Sequence, residues 1–156
     1  MPAKRPHWDF PFEMNDRQYF GFLYLIVNNI SGRAYIGRKQ YRKGGKKSSK
    51  SYGQQNAWRQ YTSSSATLKE DIATLGKENF SFYALAEYED RTDLHYWENY
   101  LIYTNGCLLS GDWYNNHVND VYVLPKRLPG RWRKESVKEL IERSIGCQNT
   151  KRIEAK

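Results

Sequence analysis

Residues 22–27, FLYLIV, make an unbroken apolar run of strand length, rich in residues that favour extended backbone. The NNISG that follows supplies turn residues, and RAYIG (33–37) reads as the returning strand of a hairpin. KQYRKGGKKSSKSYGQQ (39–55) lacks apolar periodicity and reads as a mobile loop rich in Gly, Ser and Lys. In SSATLKEDIATLG, Leu68, Ile72 and Leu75 recur at helical spacing, Ser64 or Ser65 offers a cap, and Gly76 a stop. NFSFYALAEY (79–88) alternates as a third strand, with Phe80, Phe82, Ala84 and Ala86 on one side. TDLHYWENYLIYTNG follows as a second helix, capped by Thr92 and ended before Gly106.

The two ends of the chain differ from this middle. Pro2, Pro6 and Pro11 break any regular element near the start, so residues 1–19 read as an arm packed by Trp8, Phe10 and Phe12. From Leu124 the prolines return, and then Val137, Leu140, Ile141 and Ile145 mark one face of a last helix whose start is crowded with Lys and Arg. The pattern predicts an α+β fold: a small three-stranded antiparallel sheet flanked by helices, with a basic C-terminal helical tail. The domain proper is expected at 20–119 and the extension at 120–156.

Composition narrows the class. The 156 residues suit one domain, and 39% hydrophobic content with 13 Tyr and 5 Trp is enough to build a core. No apolar run reaches the ~18 residues of a membrane span, and MPAKRPHWDF lacks the apolar middle of a secretion signal. A cytoplasmic protein with no membrane partner is expected. Cys107 and Cys147 are far apart and have no metal or redox spacing, so both read as free thiols.

Charge changes the picture more. The net charge is +8, yet no carboxylate lies between Asp16 and Glu70. That interval holds Arg17, Arg33, Arg38, Lys39, Arg42, Lys43, Lys46, Lys47, Lys50, Arg59 and Lys69. A soluble surface ordinarily mixes both signs; a long stretch of one sign concentrates polyanions, and nucleic acid is the expected partner. Arg42, Lys43, Lys46, Lys47 and Lys50, with Arg38 beside them, are candidate phosphate contacts. Arg131, Arg133 and Lys134 around Trp132 read either as a phosphate-gripping helix start or as a solvated tail.

One carboxylate sits where it should not. On the second helix Leu94, Trp97, Leu101 and Ile102 mark the buried stripe, and Glu98 falls inside it. An ionised carboxylate there is costly unless a buried Arg or Lys, exposure at the stripe's edge, or a metal ion compensates it. An enzyme acting on phosphodiesters needs a hard cation, and Mg²⁺ commonly takes only one or two protein carboxylates. Glu98 is therefore a candidate metal ligand.

Tyr24, followed eleven residues later by Tyr35-Ile36-Gly37, resembles the GIY-YIG nucleases. The first motif is spelled Phe22-Leu23-Tyr24 in place of Gly-Ile-Tyr, which keeps the tyrosine. Glu98 in YWENYL and Asn115 in WYNN match the family's later landmarks, and residues 57–80 are similar to a phage-encoded, homing-endonuclease-like branch. The resemblance implies a metal-dependent DNA endonuclease using Mg²⁺ or Mn²⁺. Tyr24 would activate or position the attacking water, and Tyr35 would hydrogen-bond the water or the scissile phosphate. Glu98 would hold the metal, and Asn115 would fix a neighbouring group or the substrate backbone.

The family's usual Arg, often followed by His, falls here in YRKGGKK, which reads as loop and has no His. Lys39 and Arg59 are taken for that slot, with Arg38 and Arg42 in reserve. A phenol is a poor base at neutral pH and needs the nearby cations to become one. His95 and His117 read as ordinary surface or packing residues, and Tyr61 as core packing. The role implied is homing-like or host-DNA-degrading, with pairing of two copies or two successive nicks for a double-strand cut. The alternative is a nucleic-acid-binding protein that keeps the fold and does not cut.

Overall fold

The apolar run at 22–27 forms the centre of the sheet. A computed structural model describes residues 5–118 and 131–154, apart from the side chains at 132 and 147–154. In chain order the elements are β1 (Gly21–Asn28), β2 (Ala34–Gln40), α1 (Ala66–Leu75), a 3₁₀ turn (Lys77–Asn79), β3 (Phe80–Tyr88), α2 (Arg91–Thr104), β4 (Arg131–Trp132) and α3 (Val137–Glu154). The strands lie in the order β2-β1-β3-β4, each antiparallel to its neighbour. The α+β fold with three antiparallel strands is as expected, and a two-residue fourth strand adds to one edge. The side chains of Trp132 and Cys147 lie outside the described residues, as do positions 119–130 of the extension.

β1 is apolar from Phe22 to Val27 because both of its faces are covered. Leu23, Leu25 and Val27 pack against Leu94, Leu101 and Ile102 of α2 and Val137 and Leu140 of α3. Phe22, Tyr24 and Ile26 point the other way, against Trp8, Tyr41, Trp58 and Leu68. The residues before β1 therefore belong to the core. The indole N–H of Trp8 donates to the carbonyl of Trp58 at 2.7 Å, and Asp9 bridges to Tyr83.

Helix ends follow local chemistry. Ser65 caps α1 by accepting the Leu68 N–H, and Gly76, with φ of 89°, ends it in a conformation that side chains disfavour. α2 starts earlier than expected: Asp90, not Thr92, is the cap, accepting the Asp93 N–H at 2.8 Å.

β3 departs from simple alternation. Leu23 faces Ala86 while Tyr24 faces Ala84, so Leu85 is an extra residue at a β-bulge. The bulge reverses the alternation, placing Ala86 with Leu85 on the helix face and away from Phe80, Phe82 and Ala84. Glu87 is turned to the opposite face, where Tyr41 Oη and the Asn15 N–H donate to its carboxylate.

Arg133 occupies the bulge. Its N–H donates to the Leu85 carbonyl at 2.9 Å, its Nε to Ala84 O at 2.9 Å and its terminal nitrogen to Asp9 O at 2.6 Å. With a side chain only 3% exposed, Arg133 ties the N-terminal segment to β3 and does not offer the phosphate contact read from the sequence. Arg131 donates to the Glu13 carbonyl at 2.5 Å, and Lys134 remains exposed. Arg133→Ala is expected to cost about 2–4 kcal/mol in denaturant titration, because it strips charged donors from buried carbonyls. Lys134→Ala is expected to change stability by less than about 0.5 kcal/mol.

Candidate active site

The site begins with a missing side chain. Across the ladder from Tyr24 stands Gly37. A Cβ at that position would lie 2.5 Å from Cζ and Oη of Tyr24 and 2.8 Å from Cε1 of Tyr35. Glycine therefore lets the Tyr24 ring lie across β2 and bring its hydroxyl toward Tyr35, the ring centroids being 6.1 Å apart. Tyr61 meets the Tyr24 ring edge-on at 6.3 Å, and Ser64 lines the pocket beside Tyr35 and Tyr61.

Glu98 approaches from the helix side. Arg38 Nε donates to its Oε2 at 2.7 Å, which answers the carboxylate in a buried stripe: of the three rescues, the structure uses a paired arginine. The Glu98 side chain is 12% exposed and its Oε1 has no protein donor among the described residues. Because β2 is an edge strand, groups from both sheet faces meet around it. They line one pocket of about 310 Å³ that takes in Tyr24, Tyr35, Arg38, Tyr61, Glu98, Asn115 and His117, with the first turn of α1 (Ser65, Ala66, Thr67) as one wall.

Asn115 supports this arrangement from outside. Its Nδ2 donates to the Ile36 carbonyl at 2.8 Å and its Oδ1 accepts the Ile36 N–H at 3.0 Å, as a neighbouring strand would. Ala34 pairs in the same way with the backbone of Asp112 and Tyr114, and Tyr114 Oη donates to Asp71 at 2.6 Å. Residues 112–115 thus seal the outer rim of β2. Both amide atoms of Asn115 are thus engaged by the backbone of Ile36.

The expected cations divide. Neither Lys39 nor Arg59 lines the pocket: Lys39 Nζ lies 3.9 Å above the Tyr61 ring, and the Arg59 guanidinium lies 4.5 Å above Trp58. Arg38, held in reserve for that slot, is the cation beside the carboxylate. Arg42 pairs with Asp16 at 3.6 Å and donates to the Gly53 carbonyl. The segment 42–55 takes the form of a reverse excursion closed by an Arg42–Gln55 bridge and by Lys43–Gln54 and Gly53–Lys43 hydrogen bonds. On it Lys43, Lys46, Lys47 and Lys50 are exposed, with no ion pair among the described residues.

Burial sets the protonation states. It holds the Tyr24 phenol well above its usual range, and it raises Tyr35 and Tyr61 as well; Arg38 only partly opposes this. Arg38 alone therefore does not bring these phenols down toward neutral pH. Burial also raises the Glu98 carboxyl, with Arg38 pulling it back. Burial and the Arg38 and Arg91 charges lower His95, three residues before Glu98, to about 4, which keeps it neutral.

No group of three or more metal-ligating side chains occurs among the described residues. The pocket still fits a hard divalent cation: it is polar, it offers a carboxylate oxygen not engaged by Arg38, and Mg²⁺ completes such sites with water and phosphate oxygens. Tyr61, the α1 first turn, Asn99 and His117 are pocket residues that sequence reasoning passed over.

The edge-strand cleft thus gathers three phenols, a carboxylate and a guanidinium on an α+β scaffold. The family model SegE_GIY-YIG, described as "Putative endonuclease segE, GIY-YIG domain", matches residues 8–118. That span is well over half of the chain, and the chain belongs to this GIY-YIG endonuclease domain family. Membership implies an endonuclease, and so a hydrolase. No curated protein and no solved structure matches the chain. No helix among the described residues is long and apolar enough to cross a membrane.

Proposed function

We propose that this chain is a divalent-metal-dependent DNA endonuclease acting in the cytoplasm, of phage type and either homing-like or host-DNA-degrading. The observation that carries the reading is the meeting of Tyr24, Tyr35, Arg38 and Glu98 in one pocket. Glu98 would hold Mg²⁺ or Mn²⁺, which when bound neutralises charge on the scissile phosphate. Arg38 offers a guanidinium to the same phosphate oxygens, a geometry that suits bidentate binding. Tyr24 and Tyr35, kept protonated by burial, donate to phosphate oxygens and orient the attacking water. The first turn of α1 adds backbone N–H groups and the positive end of a helix dipole.

Lys43, Lys46, Lys47 and Lys50 would grip the substrate backbone beyond the cut. The test is incubation of supercoiled plasmid with the full chain and Mg²⁺ or Mn²⁺, beside binding measured over a salt series. Nicked or linear product that vanishes on chelation supports the reading. Replacing the four lysines by Gln is expected to lower the slope of log K against log salt by about 0.9 for each phosphate no longer neutralised. Intact plasmid with tight, salt-sensitive binding would instead support the non-cleaving alternative.

A further inference from the structure

The endonuclease reading, on which this inference rests, gives Lys43, Lys46, Lys47 and Lys50 to the substrate backbone and leaves one neighbour unexplained. Tyr52, on the same excursion, is 44% exposed. The segment that carries it is built rather than loose. The Lys43 N–H donates to Gln54 O at 2.8 Å and the Gly53 N–H to Lys43 O at 2.9 Å. The Tyr52 N–H donates to Ser49 O at 3.0 Å, and Gln54 Nε2 to Lys50 O at 2.9 Å. The backbone on both sides of the ring is therefore fixed, which lowers the entropy lost when the ring meets a partner.

The ring itself supports nothing in the fold. Among the described residues its hydroxyl has no hydrogen bond, and no ring or cation lies against it. On the outgoing side of the excursion Gly44 and Gly45 follow Lys43 and offer no side chain to cover it; a Cβ on Gly45 would meet nothing within 4 Å. Exposure alone does not distinguish this tyrosine. Tyr96, Tyr100 and Tyr103 on α2 are also exposed, but Trp97 packs edge-on against the first two, and Arg91 is the sole Lys or Arg between Glu78 and Leu124. Tyr52 instead stands in the stretch without a carboxylate, beside lysines that have no ion pair among the described residues. Cations that take phosphates, with a bare aromatic face next to them, hold a nucleic-acid strand by backbone and base together.

Magnitudes decide which base the ring can take. Inside a paired duplex both faces of every base are covered by its neighbours. Opening a step costs about as much as one aromatic contact returns, so a single ring gains little by wedging in. An unpaired base has a free face and makes no such demand. We propose that Tyr52 is a base-stacking residue: it lies against an unpaired base of a DNA strand whose phosphates Lys43, Lys46, Lys47 and Lys50 hold. The substrate class this selects is DNA with single-stranded character where the excursion meets it.

The test measures binding by the full chain, in EDTA so that nothing is cut, to a labelled single strand and to the same sequence fully paired. Tyr52→Ala is expected to bind the single strand about 10- to 100-fold more weakly, with paired-duplex affinity and melting unchanged. Tyr52→Phe keeps the ring and should bind both as the unaltered chain does; Tyr52→Leu should fall with Tyr52→Ala. The salt slope of Tyr52→Ala should stay that of the parent, because no phosphate contact is lost. Single-strand affinity that survives Tyr52→Ala overturns the assignment. So does an equal loss on the paired duplex, or a Tyr52→Phe as weak as Tyr52→Ala. If the unaltered chain binds neither DNA, the endonuclease reading itself fails; binding of both with no effect of the ring removes Tyr52 alone.

Discussion

Glu98→Gln is expected to lower strand cleavage by at least about a thousandfold, the largest loss of any single change in the pocket. The amide keeps an oxygen for Arg38 Nε, so the variant should fold, while the charge that would hold a divalent cation is gone. Glu98→Ala is the harsher change, because it strands the partly buried Arg38 guanidinium without a counter-charge. Calorimetric titration with Mn²⁺ should show binding to the unaltered chain and none to Glu98→Gln. Glu98→Gln that still cuts at the original rate would remove this carboxylate from the chemistry.

The same substitution has a signature in pH. Burial raises the Glu98 carboxyl in the fold, so between the unfolded and folded titration points the native chain holds more proton than the unfolded one. Stability contributed at this position is present below that interval and falls as pH rises through it. In metal-free buffer, Glu98→Gln should therefore gain relative to the parent as pH rises across the interval. Cation binding runs the opposite way, fading in the parent as pH falls through the raised folded value.

Gly37→Ala is expected to be the next most damaging change to activity, with a moderate loss of stability. The added methyl would stand 2.5 Å from the Tyr24 hydroxyl and 2.8 Å from the Tyr35 ring, far inside van der Waals separation. Overpacking of this kind costs about 1–3 kcal/mol, and in a chain of this size melting should drop by about 2–4 °C per kcal/mol. Displacement of both phenols by an ångström is expected to cut the rate about 100-fold. A folded Gly37→Ala with unchanged kcat would show that the path of Tyr24 across β2 does not matter.

Much of this was legible in the residues. A run without polar alternation, FLYLIV, described a strand covered on both sides, and Glu98 stood out as a charge needing a partner. The identity of that partner was within reach. Ile36 faces the helices, and side chains two apart on a strand share a face, so Arg38 points at α2 while Lys39 points at Tyr61. Choosing Lys39 ignored that alternation. The roles of Arg133 and Ala86 were not legible, because both depend on one extra residue in β3 whose position comes from pairing with β1. The wall at Asn115–His117 was hidden for a related reason: sequence spacing does not reveal which rim a returning segment follows.

The segment that runs along β2 also bears on assembly. Ala34 and Ile36 spend their outward amides and carbonyls within the same molecule, so the strand carrying the second phenol is no template for a further strand there. Two molecules brought together for a break in both strands of a duplex could not fuse their sheets along that side. Their union would have to be side chain to side chain, through helices or loops, and could form and part without disturbing either cleft.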